Sequence, residues 1–134
     1  MKKILCLLII IELASCSNVN NITKNDFIGT WHLVSISDGF VDKGVLTYSP
    51  NSQMIAILSK NDSMLLGYSG KYEVNYKASY VTHFRDFYTI LPYPEEIQNP
   101  IFIRDFTFSS DKQTLTLKPR EEKGLELIWK KFSK

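Results

Sequence analysis

The chain has 134 residues, with 16 Lys and Arg against 14 Asp and Glu, and 44% of its side chains are apolar. That length suits one domain rather than two, and a net charge of +2 supplies no field to steer a nucleic acid. Two histidines and two cysteines at scattered positions give none of the spacings of a metal site. No glycine-rich phosphate loop or serine elbow is present, so no cofactor is expected.

The first element is a leader. Lys2 and Lys3 give a positive start, an apolar run follows from Ile4 to Ile11, Glu12 ends it, and Ala14 and Ser15 are small. That is the order of a secretion signal, and the run falls well short of the roughly 20 apolar residues that span a bilayer. Leu13-Ala14-Ser15-Cys16 resembles the lipobox of bacterial lipoproteins. The resemblance implies cleavage after Ser15, diacylglycerol on the Cys16 thiol, and a membrane as partner through that acylated cysteine. Ser17, where an aspartate would mark retention, implies the periplasmic side of the outer membrane in a Gram-negative cell. Removing residues 1–15 takes Lys2, Lys3 and Glu12, which lowers the net charge to +1, and also takes Cys6. With Cys16 acylated, the mature chain has no disulfide, and an apolar core must hold it.

Residues 16–25 are expected to be a flexible tether, because Ser17 to Asn25 is polar and unpatterned apart from Val19 and Ile22. The folded domain is placed at 26–134. Short runs rich in Val, Ile, Tyr, Phe and Thr, broken by Gly, Pro, Asn, Asp and Ser, predict strands over 27–37, 44–50, 53–60, 66–76, 80–90, 101–110, 114–120 and 125–132. The fourth alternates most clearly, with Leu66, Tyr68, Gly70, Tyr72, Val74 and Tyr76 on one face. The sixth aligns Phe102, Arg104, Phe106 and Phe108, and the eighth Leu125, Leu127 and Trp129. Tight turns are expected at 49–52, 109–112 and 122–124. Prolines at 92, 94 and 100 keep residues 91–100 out of the sheet. Eight sequential antiparallel strands predict an all-β fold, an up-and-down barrel closed on itself.

Gly29-Thr30-Trp31 at the start of such a chain resembles the lipocalin signature. More of the sequence resembles the small bacterial lipocalin-like domain proteins: 27–35, then 44–51 running into Gln53-Met54, then 68–74, 81–83, 104–108, 115–117 and 127–129, in the family's order. The resemblance implies that Trp31, with Gly29, closes the barrel floor under a basic side chain of the last strand. Lys131 stands where that family has an arginine, and Ser52 where it usually has a turn glycine.

Arg104 among phenylalanines is the inward charge that a packed wall does not need, so it either meets an acidic group or waits for an anionic one. His83 sits in a strand whose two faces are both mixed, so alternation leaves its direction open. Tyr48, Tyr68, Tyr72 and Tyr76 are candidate lining, with rings for an apolar body and hydroxyls for a polar end. Met54 reads as core, and His32 is expected to face opposite Trp31. The resemblance implies a lipid-tethered barrel holding a small hydrophobic or amphipathic ligand through Arg104, His83, Tyr48, Tyr68 and Tyr72. The alternatives are an isomerase or lyase working through His83, and a packed barrel serving as an interaction module of the envelope.

Overall fold

Alternating apolar and polar positions turn most of the chain into strands that each bury one face. The computed structural model describes residues 21–37, 39, 41–90, 100–120 and 125–132. It holds one helical turn, α1 (Lys24–Phe27), then β1 (Gly29–Ile36), β2 (Lys43–Tyr48), β3 (Gln53–Lys60), β4 (Ser63–Asn75), β5 (Tyr80–Ile90), β6 (Ile101–Phe108), β7 (Thr114–Pro119) and β8 (Leu127–Lys131). Each strand pairs antiparallel with the next, and β8 pairs with β1 through Trp31↔Lys131 and Leu33↔Trp129. The sheet therefore closes as an eight-stranded up-and-down barrel and leaves no open edge of the kind a flat sheet carries. The leader, Cys16, the proline-bearing stretch 91–99 and the 122–124 turn lie outside the described residues.

Several sequence expectations shift. Phe27 was expected to open the first strand but ends α1 instead, where it is fully buried. The cause is local and tertiary at once. The Thr23 amide donates to Asp26 Oδ2 at 2.7 Å, which closes the turn, and the barrel floor accepts the Phe27 ring. The turn also takes Lys24 and Asn25 out of the expected tether. β4 starts three residues earlier than expected because Asn61 and Asp62 adopt φ of 49° and 61°, a two-residue hairpin turn joining Lys60↔Ser63. Asn and Asp accept that left-handed region, and the primed turn matches the twist of the strands. Tyr76, expected on the inner face, lies beyond the end of β4 and is exposed.

Ser52 takes φ 64° in the β2–β3 turn, the region that favours glycine, which is the physical reason a glycine suits that place. Gly70 is needed for a different reason. A Cβ there would lie 1.8 Å from the Phe84 carbonyl oxygen, because β5 bulges against β4 at this point. The register passes from Ser69↔Phe87 to Gly70↔Arg85, so Asp86 is the extra residue. Bulges re-aim side chains. Before the bulge the alternation is regular, which leaves Arg85 on the inner face with His83.

The core fills the floor of the barrel. Phe27 packs edge-on against Tyr48, Phe106 and Phe108, with ring centres 5.6, 4.9 and 5.0 Å away. Trp31, Leu46, Met54, Leu115, Leu117 and Trp129 complete it, all essentially without exposure. His32 is exposed on the outer face, beside Phe132.

Candidate functional site: a cationic polar cluster inside the barrel

Strand period places the site. On β5, Val81, His83 and Arg85 point inward and Thr82, Phe84 and Asp86 do not. On β6, Phe102, Arg104 and Phe106 face the same interior, across the pairs Val81↔Arg104 and His83↔Phe102. Tyr48 comes from the end of β2 and Tyr68 from β4. The structure thus brings together four of the five side chains proposed from the sequence, Tyr48, Tyr68, His83 and Arg104, and adds Arg85 and Phe102.

His83 is the centre. It has no exposed surface, and its Nε2 lies 2.6 Å from the Tyr48 hydroxyl and its Nδ1 3.3 Å from that of Tyr68. A neutral imidazole has one donor and one acceptor nitrogen, so it gives one of these bonds and receives the other. Burial, with Arg104 and Arg85 adding their positive fields, holds its pKa down to about 3, so the ring is neutral at physiological pH. Burial raises the pKa of both tyrosine hydroxyls, and for Tyr68 the two arginines oppose that rise.

The arginines share an aromatic neighbour. The Arg85 guanidinium carbon lies 3.8 Å from the centre of the Phe102 ring, and that of Arg104 5.2 Å. Such contacts support a cation on a π face, with contributions of about 0.5–2 kcal/mol each. The positive charge of Arg104 also favours the ionised form of the Tyr68 hydroxyl, against the effect of burial. The Arg104 Nε is buried and has no hydrogen-bond partner among the described residues. No Asp or Glu is buried among those residues either. Asp105, next in sequence, faces out and pairs with Arg120 at 3.2 Å.

Tyr72 stands apart. Its ring packs on Tyr48 at 4.7 Å, but its hydroxyl donates to the Ser49 carbonyl at 2.9 Å and so serves the β2–β3 turn. Gly29, Trp31 and Lys131 lie at the floor. Lys131 Nζ sits 5.0 Å from the Trp31 ring and donates to the Asp26 carbonyl at 3.0 Å, while Trp31 Nε1 donates to the Phe27 carbonyl at 2.9 Å. A side chain at Gly29, which has φ 131°, would come within 3.1 Å of the lysine stem. Among the described residues no three His, Cys, Asp or Glu side chains gather as a metal set.

Arg85 is the residue that sequence reasoning missed. The signal was Val81: once it is taken as core, period two carries His83 and Arg85 inward with it. Comparison with known proteins finds no family model that matches this chain and no curated protein that matches it.

Proposed function

We propose that this chain is an exported lipoprotein whose lipocalin-like barrel carries a small amphipathic molecule. One observation carries the reading. A neutral histidine, two tyrosine hydroxyls and the buried Arg85 gather on the inner face of the barrel beside the half-buried Arg104, whose covered Nε lacks a partner among the described residues. Buried polar groups are costly, and a barrel that needed only stability would be better filled with apolar side chains. A small set of converging polar groups in an apolar enclosure is the usual form of a ligand site. Lys2, Lys3, the apolar run and Leu13-Ala14-Ser15-Cys16 support a lipid tether, and with it a barrel held beside a membrane.

The isomerase or lyase reading has less support. A nitrogen whose conjugate acid ionises near 3 is a weak general base at neutral pH.

Native mass spectrometry of the purified full chain, followed by solvent extraction, tests the carrier reading. A reproducible small molecule released from the protein is expected. A bare mass, with no uptake from a panel of lipids and fatty acids, would overturn it in favour of a packed interaction module.

A further inference from the structure

The cluster has a sign as well as a place. We infer that the barrel selects guests with an oxyanion head group, a carboxylate or a phosphate, bound by Arg104 together with the Tyr68 hydroxyl. This rests on the carrier reading above.

The charge balance comes first. Arg104 and Arg85 both act on His83 from inside the barrel, and the described interior buries no Asp or Glu. The carboxylate adjacent to Arg104 in sequence, Asp105, is turned outward and engaged by Arg120. Arg104 is half-buried with its Nε fully covered, and a guanidinium drawn even partly out of water is favoured by a negative charge that meets it. A guest with a neutral head does not meet that charge, and an anionic one does.

Donor geometry comes second. The guanidinium is a planar fork that matches carboxylate and phosphate oxygens, and it has no acceptor atom. On Arg104 the buried Nε, without a partner among the described residues, remains for a guest's acceptor, and the Arg104 charge acts on the Tyr68 hydroxyl. The Phe102 ring beside both guanidinia restrains them before any guest arrives, so little ordering remains to be done on binding. His83 stays neutral and therefore adds no third charge; it links Tyr48 to Tyr68 and fixes the second hydroxyl near Arg104.

The apolar body has a wall of its own. The register Ala56↔Tyr68 continues to Leu58↔Leu66, two positions nearer the β3–β4 turn, and Leu33 joins Leu58 around Gly44. These leucines are only partly buried, unlike the floor, so the head group sits at the level of Tyr68 and the chain runs toward them.

The test measures affinities of the full chain, held in solution by an amphipathic polymer without free detergent, for dodecanoate, dodecyl phosphate, dodecanol and inorganic phosphate. At least one of the two anionic amphiphiles is expected to bind about tenfold or more tighter than the alcohol, as one charge-assisted hydrogen bond supplies. Which one does so separates a carboxylate from a phosphate site. Arg104→Met should bring the anion down to the alcohol's affinity. Arg104→Lys should restore part of the advantage, and Arg120→Met on the outer face should leave it intact. Equal binding of acid, phosphate and alcohol would overturn the head-group inference while leaving a carrier. So would an anion advantage that survives in Arg104→Met. Inorganic phosphate binding as tightly as dodecyl phosphate would overturn the amphiphile. No uptake of any of them would remove the carrier reading itself.

Discussion

The floor of the barrel and its centre are built from similar residues to opposite ends. At the floor, Trp31 Nε1 donates to the Phe27 carbonyl and Lys131 to the Asp26 carbonyl over the Trp31 ring, while the buried Trp129 Nε1 has no hydrogen-bond partner among the described residues. Aromatic rings meet edge to face around Phe27, and the group resembles the core of any small β-domain. At the centre, the aromatic residues carry polar handles and two guanidinia lean on a phenylalanine. A donor atom there is left over among the described residues. The contrast teaches where stability ends and selectivity begins. The floor is mostly apolar rings with one unsatisfied indole N–H, whereas the centre gathers charged and hydroxyl groups, which is what the carrier proposal draws on.

Three measurements sharpen that contrast. Trp31→Ala should cost about 3–5 kcal/mol, the usual range for an aromatic removed from a packed core, and a thermal melt should show a fall of many degrees. If the loss is slight, the floor is not what holds the barrel together.

The second concerns pH. His83 has a folded pKa of about 3 against an ordinary 6.5, so below 6.5 the unfolded chain binds a proton that the folded chain refuses. Stability therefore falls as pH drops from 6.5 towards 3, with a limiting slope of about 1.4 kcal/mol per pH unit from this group. His83→Gln should flatten the slope in that window whatever it does to absolute stability. Denaturant midpoints measured across the window check this, and an unchanged slope would mean that the ring is not held neutral by its surroundings.

The smallest effect is expected at Arg104. Replacing it by methionine should change unfolding free energy by no more than about 1 kcal/mol, in either direction, because the cost of partly covering the charge offsets what its contacts contribute. A loss as large as that of Trp31→Ala would make Arg104 a structural residue and erase the distinction between floor and centre.

The strands were legible because a half-buried strand writes its period into the sequence. The β3, β5 and β6 starts needed nothing beyond the alternation and the turn residues. The two-residue turn at Asn61-Asp62 was missed because no glycine marks it, although both residue types tolerate a positive φ. Phe27 was misassigned because its β-propensity reads the same in a strand as in a plug, and only the barrel floor distinguishes the two. Arg104 stood out among phenylalanines, yet Arg85 did not. Its neighbours on both faces are mixed, so nothing in the strand alone told that Val81 rather than Thr82 marks the inner face. Tyr72 had the right face, but the Ser49 carbonyl had first use of its hydroxyl.

By itself, the sequence determined the architecture. Eight amphipathic runs with short connections can bury their apolar faces and remove their edges by closing, so the barrel follows from pattern and turn chemistry. Only the tertiary structure decided that His83 sits between Tyr48 and Tyr68, that Arg85 joins Arg104 beside one ring, and that the nearby Asp105 is turned away. Those are contacts between residues from four strands separated along the chain. Their distances are set by register and bulge, which local propensity does not encode.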